Sequence, residues 1–218
     1  MTQEQTLRVQ TTQLKEEFIA GLPEEVKRTV GESLAKLLQS DVAKNAKTLG
    51  DKAPDFNLPN VKGEQVRLSD AYKAGPVVLS FYRGGWCPFC NLEMRALQQH
   101  LPQIKALGAS LIAISPQTPD NSLTTAEKLQ LEFEILSDQG NKTARDYGLL
   151  MQVYEEMRSL YLNWGFDLPA ANGDDSYELP VPATYVIDRE GIIRSAYVDK
   201  DYTTRMEPTE IINALQQM

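Results

Sequence analysis

Hydrophobic positions change their spacing several times along the chain, and the changes divide it into segments. Residues 12–49 read as helical, with Val26, Val30, Leu34, Leu37, Leu38 and Val42 recurring mostly three and four apart as one apolar stripe. Pro23 with Glu24 and Glu25 suits a helix start: a proline there forfeits no hydrogen bond, and acidic side chains match the positive end of the helix dipole. The stripe needs cover, from the rest of the chain or from a second copy, and a second copy would make residues 1–49 the arm of a homodimer. From Gly50 the style changes. Phe56, Leu58, Val61, Val66 and Leu68 alternate among Pro and Gly, which predicts a small hairpin. Val77, Val78, Leu79 and Phe81 then form a short, continuous apolar run, the mark of a buried strand.

Helical spacing returns at Asn91, with Leu92, Leu97, Leu101 and Ile104, and Pro102 is expected to kink or end that helix. Residues 110–115 (SLIAIS) predict a second buried strand, which completes a strand–helix–strand unit. A helix over 119–130, a strand over 133–136 and a helical turn over 142–147 follow. Residues 149–181 break the alternation. Leu150, Val153, Met157, Leu160 and Tyr161 suggest one helix, and the irregular remainder turns at Asn172-Gly173. A loop of that length in a compact domain usually serves function. It is expected either to cover a site with Tyr154, Tyr161, Trp164 or Phe166, or to place these aromatics in ordinary core. Strands over 183–187 and 192–198, joined by Asp188-Arg-Glu-Gly191, and a helix over 207–217 close the chain. The alternation predicts an α/β sheet with helices on both faces. The domain would span 50–218 with an insertion at about 149–181, preceded by a helical extension over 1–49.

Length and charge narrow the function. With 218 residues the chain can bury one substantial core. A net charge of −8 with no basic patch argues against nucleic-acid partners. No apolar run approaches the ~20 residues of a membrane helix. The N-terminal residues lack the apolar stretch of a secretory signal, which points to a cytoplasmic setting or a processed precursor.

The chemistry concentrates in PVVLSFYRGGWCPFC, residues 76–90. Gly84-Gly85 breaks the strand, and Cys87-Pro-Phe-Cys90 opens the following helix, with Pro88 at a position that tolerates it. A helix start presents partial positive charge and unpaired N–H groups, both of which favour thiolate over thiol. A free thiol titrates near ~8.5, and such surroundings bring it to roughly 3.5–7.5, a gain in reactive form of at most about thirtyfold at neutral pH. Cys90, one turn on, is placed to capture a mixed disulfide or sulfenic acid formed at Cys87. Structural thiols and half of a zinc site are the alternatives, but tetrahedral zinc needs four ligands and the chain has two cysteines and one histidine. A dithiol working in this way needs Cys87 open to solvent and Cys90 within bonding reach.

Ala53-Pro-Asp-Phe56, Gly63, Leu68, the segment from Phe81 to Cys90, Ala113-Ile-Ser-Pro116, Leu136-Ser-Asp138, Tyr147-Gly148 and Pro182-Ala-Thr-Tyr-Val-Ile-Asp188 together resemble a redoxin. The group is the thioredoxin-fold family of alkyl hydroperoxide reductases and thiol-specific antioxidants, and the likeness is to its peroxiredoxin-like members with an RGxWCPxC stretch. It covers about residues 50–218. The resemblance implies a thioredoxin-like fold, a central mixed sheet with helices on both faces. It also implies a thiol-dependent peroxidase, with Cys87 attacking a hydroperoxide, Cys90 resolving it, and a thioredoxin- or glutaredoxin-like donor as reductant. Trp86 and Pro182 would line the substrate site, with a cis Val181–Pro182 bond. No metal, flavin or nicotinamide cofactor is implied.

Peroxiredoxins keep a Thr or Ser three residues, and a Pro seven residues, before the attacking cysteine; counted from Cys87 these positions hold Gly84 and Ser80. The later-strand arginine falls near Pro182, and thioredoxin's buried acid is replaced by Phe81. Arg83 is therefore expected to stabilise the leaving oxygen, ahead of Arg194, Arg205 or the helix-start N–H groups. Two other functions fit the same motif: a thiol–disulfide oxidoreductase acting on protein or glutathione disulfides, and a non-enzymatic redox sensor or binding module.

Overall fold

The computed structural model describes residues 5–218. Two helices come first, α1 (Leu7–Ala20), capped by the Thr6 hydroxyl, and α2 (Glu24–Gln39), entered through Pro23. The helical reading of 12–49 is corrected at both ends. Ser40 turns extended, donates to the Leu37 carbonyl at 2.6 Å and accepts from the Val42 N–H, so a serine's local bonds end the helix ten residues early.

The strands β1 (Asn57–Pro59) and β2 (Gln65–Arg67) pair as the expected hairpin, and a short helix α3 (Leu68–Ala74) follows. Then come β3 (Val77–Phe81), α4 (Pro88–Ala106), β4 (Ser110–Ser115), α5 (Pro119–Leu129), β5 (Glu134–Ser137) and α6 (Lys142–Asp146). Pro102 neither ends nor interrupts α4. It removes one hydrogen bond, to the Gln98 carbonyl, while Leu97, Leu101 and Ile104 stay buried on either side of it, each such burial worth about 1.5–3 kcal/mol.

Residues 149–181 are more ordered than their pattern suggests. They contain β6 (Leu150–Gln152), α7 (Glu155–Asn163), α8 (Leu168–Asn172) and β7 (Glu178–Pro180), with β6 and β7 paired antiparallel. Strands three residues long leave no periodicity to read. The chain closes with β8 (Ala183–Ile187), β9 (Ile193–Val198) and α9 (Pro208–Gln216).

The main sheet runs β5-β4-β3-β8-β9, with β3, β4 and β5 parallel and β8 and β9 antiparallel to their neighbours. It is a mixed sheet covered on both faces. Period-two alternation sends Val78 and Tyr82 to the side of α4 and α9, where Leu97, Leu101, Ile211 and Leu215 lie. Val77, Leu79 and Phe81 face Leu68, Ala144 and Tyr147 on the other side. A third cluster joins Val30 and Leu37 of α2 to Met151, Val153, Met157, Tyr161, Leu168 and Leu179. The stripe on α2 is thus covered by residues 150–181 of the same chain, and Leu38, at its edge, stays exposed.

No cis peptide bond occurs among the described residues, so the expected cis bond before Pro182 is corrected to trans. The Val181 N–H bonds the Leu149 carbonyl at 2.7 Å and holds the chain extended from β7 into β8, which suits the isomer that proline already favours. No helix among the described residues is long and apolar enough to cross a membrane.

Candidate active site

At the carboxyl end of β3 the Tyr82 N–H still bonds the Ile114 carbonyl at 2.9 Å, and then the chain turns through Arg83-Gly-Gly-Trp86 into α4. The two glycines have separate steric causes. A Cβ on Gly84, at φ +145°, would lie 2.4 Å from the Trp86 indole nitrogen, and one on Gly85 would lie 2.1 Å from the Thr125 hydroxyl. Their absence lets the indole fold back and α5 close in. The Gly85 N–H donates to Gln117 Oε1 at 2.8 Å and its carbonyl accepts from Asn91 Nδ2 at 2.9 Å, so the turn is pinned from both sides.

Cys87 is the N-cap of α4 and Cys90 lies in its first turn, both as free thiols. Their relative exposures are 1% and 0%. The expectation of an open Cys87 is therefore corrected. Phe89, Trp86, Tyr161, Phe166 and Tyr202 roof the pair: Trp86 packs tilted against Phe166 at 5.4 Å and edge-on to Tyr161 at 5.8 Å, and Phe89 meets Tyr202 edge-on at 6.3 Å. A cavity of about 310 Å³ opens against Gly85, Trp86, Asn91, Gln117 and Thr125, and neither sulfur lines it.

The two sulfurs are not equivalent. Burial pushes the Cys87 thiol up, but the Cys90 thiol and backbone N–H bonding to it, with the Arg83 and Arg205 charges, bring it down to about 6. Burial pushes Cys90 up, the Cys87 sulfur pushes it further, and Arg205 only partly opposes them. Of the two sulfurs, Cys87 is therefore the one favoured as the thiolate.

Below the sulfurs lies a polar floor. Arg205, from the turn between β9 and α9, donates through Nη2 to Cys90 Sγ at 3.1 Å, through Nη1 to the Tyr202 and Thr204 carbonyls, and through Nε to Glu93. Glu93 also accepts from Ser80 at 3.1 Å and Thr184 at 3.3 Å. Burial raises its carboxyl above the ordinary range and the Arg205 charge opposes the shift. Arg83 belongs to the roof. It is 1% exposed, its guanidinium lies 4.3 Å from the Tyr202 ring and 5.2 Å from Trp86, and Nη2 donates to the Tyr161 hydroxyl. Its Nε–H has no partner among the described residues.

Cys87, Cys90, Arg83 and Trp86 thus come together as expected from their spacing. Pro182 lies beside Tyr82 at the end of β3, one step beyond the Phe81–Ala183 pair. Of the proposed cover, Tyr161 and Phe166 reach Trp86, Trp164 packs behind Tyr161, and Tyr154 instead lies beneath Lys36. Arg194 is excluded from the site, because it pairs with Asp188 at 2.6 Å. Sequence reasoning missed Glu93, Ser80, Thr184 and Tyr202. Glu93 left one sign, a carboxylate three residues after Cys90 and four before Leu97, on the face of the helix that must be buried.

The AhpC/TSA family model matches residues 49–196. Chloroplastic peroxiredoxin Q of Sedum lineare is 26% identical over 171 residues, covering 78% of this chain and 79% of that protein. Peroxiredoxin Bcp of Escherichia coli strain K12 is 33% identical over 100 residues, 46% of this chain and 64% of that one. Among solved structures, peroxidoxin BcpB of Mycobacterium tuberculosis superposes with a TM-score of 0.62 at 22% identity, over 78% of this chain and 97% of that chain, a likeness of fold.

Proposed function

This chain belongs to the AhpC/TSA family, and from that premise we propose that it is a thiol-dependent peroxidase working through Cys87 and Cys90. One observation carries the reading: Cys87 caps the start of α4 with Cys90 one turn on, and the buried Arg83 and Arg205 beside them favour the thiolate. The thiolate attacks the terminal oxygen of a hydroperoxide, the O–O bond breaks, and the departing alkoxide takes up a proton to leave as alcohol. Cys87 is then a sulfenic acid. The Cys90 sulfur attacks it, water leaves, and an intramolecular disulfide closes. A thioredoxin- or glutaredoxin-like dithiol returns the pair to thiols and is itself oxidised. The free Nε–H of Arg83 is a donor available to the departing oxygen. Trp86 and Pro182 are proposed as substrate-site residues, and the proposed setting is cytoplasmic.

Both sulfurs are closed off, so the roof must open for any substrate, and a small peroxide needs a smaller opening than a protein disulfide. The roof opens furthest in the half-cycle in which the donor's thiolate must touch sulfur. Stopped-flow oxidation by hydrogen peroxide tests the proposal. The expected rate exceeds that of a free thiol by far more than the roughly thirtyfold that thiolate formation supplies, and a rate within that factor overturns it.

A second assignment of the sulfurs has its own observation, since Arg205 donates to Cys90 rather than Cys87. Counted back from Cys90, the positions three and seven residues earlier hold Cys87 and Arg83. Dimedone trapping after one equivalent of peroxide decides between them: adduct in Cys90→Ser but not Cys87→Ser places attack at Cys87, and the reverse places it at Cys90.

A further inference from the structure

The two stretches outside the family match, before residue 49 and after residue 196, are bonded to each other. Lys15 of α1 reaches Asp201 at 2.8 Å, with the aspartate side chain only 19% exposed. Glu207, the N-cap of α9, closes a capping box there and also accepts from the Leu7 and Arg8 N–H groups, so one carboxylate caps two helices. Lys200 donates to the Leu38 and Ser40 carbonyls at the end of α2. The turn over 199–207 is thereby tied at three points to the two N-terminal helices.

What that turn carries gives the ties their meaning. Asp201 organises it, accepting from the Thr203 N–H at 3.1 Å and hydroxyl at 2.6 Å and, through its carbonyl, from the Thr204 N–H at 3.0 Å. The turn's own carbonyls, at Tyr202 and Thr204, receive Arg205 Nη1 and so aim Nη2 at Cys90. The same turn lays Tyr202 under Arg83.

We propose that α1 positions Arg205 at the cysteine pair, with Lys15 as a positioning residue acting through Asp201 and Glu207 as the second anchor. This deepens the function proposed above and rests on the same dithiol. The N-terminal helices then belong to the active site without contributing an atom that touches substrate. Loosening the Lys15 tie lets Arg205 drift from the sulfurs and weakens the hold on the thiolate, while the core, built on other contacts, stays intact.

The test reads the thiolate directly, by its ultraviolet absorbance across pH in the full-length protein, so it needs neither peroxide nor access to the sulfurs. The parent is expected to hold about half of Cys87 as thiolate near pH 6. Lys15→Met is expected to cut that fraction to roughly a third at the same pH, in keeping with a partly exposed ion pair. Lys15→Arg restores the parent profile. Glu207→Gln shifts the profile the same way and serves as a second variant should Lys15→Met fold poorly. A Lys15→Met profile that superimposes on the parent, whatever happens to the melting temperature, overturns the proposal. If the parent fails to react with peroxide while Lys15→Met still shifts the profile, the peroxidase reading falls and the positioning role stands.

Discussion

The two buried arginines at the dithiol are held by opposite means. Arg205 sits on the floor, where Glu93 and two carbonyls satisfy it and a carboxylate cancels much of its charge. Arg83 sits in the roof among the faces of Tyr202, Trp86 and Tyr161, bonded to one phenol, with no carboxylate within ion-pair distance among the described residues and its buried Nε–H free. Aromatic faces stabilise a cation without neutralising it or claiming its donors. The floor arginine is thus spent on fixing geometry, whereas the roof arginine keeps a donor for a reacting oxygen.

Removing each arginine separates these roles. Arg205→Met leaves Glu93 buried and unpaired, and breaking a buried pair from one side costs about 3–5 kcal/mol. Urea unfolding should show a loss of that size. Arg83→Met strands only the Tyr161 hydroxyl and gives up the cation–ring contacts, a loss of about 1–2 kcal/mol with no buried charge left behind. Its effect belongs to the chemistry: oxidation by peroxide should slow by roughly 10²–10³, the cost of one lost transition-state donor. Equal stability losses in the two variants would erase the distinction between floor and roof.

The same contrast explains what could be read from the chain. Strand β3, the start of α4 and the dithiol were legible because a β-branched run, two glycines and a first-turn proline each act through local backbone physics. Arg83 and Trp86 were legible because covalent neighbours of Cys87 cannot be far from it. The floor was not. Arg205 lies 115 residues from Cys90, and nothing local distinguishes it from Arg194, which pairs with Asp188 elsewhere. Pro102 misled because its local preference gave way to packing, whereas the cis expectation at Pro182 came from the family resemblance and the bond keeps the trans isomer that proline already favours. The cover of the α2 stripe was undecidable, because the β6–β7 hairpin and α7 that supply it become a surface only after folding.

Acid should expose the electrostatics that both arginines serve. The folded Cys87 thiol titrates at about 6, below the ordinary thiol near ~8.5. The reactive thiolate therefore accumulates as pH rises through 6 and is nearly complete above 7. Lowering the pH from 7 to 5 should slow oxidation by peroxide about tenfold, with little gain from 7 to 9. A rate still climbing steeply above pH 8 would mean an unassisted thiol.

The smallest effect tests the roof alone. Phe18 of α1 meets Trp164 edge-on at 5.2 Å, Trp164 meets Tyr161 at 5.9 Å, and Tyr161 holds Arg83. The rings along this path carry no charge, unlike the Lys15 tie. Phe18→Ala should cost about 0.5–1.5 kcal/mol from the lost aromatic pair, beyond the area it buried, and leave the thiolate titration where it was. What should change is access: a bulky maleimide ought to label the cysteines faster by up to roughly tenfold, as the roof opens more often for the same free energy. Lys15→Met predicts the reverse pattern, a shifted titration with little change in labelling beyond the thiolate fraction. One helix would then hold the floor through a charge and the roof through a ring, and a variant that moved both readouts together would show that floor and roof are a single unit.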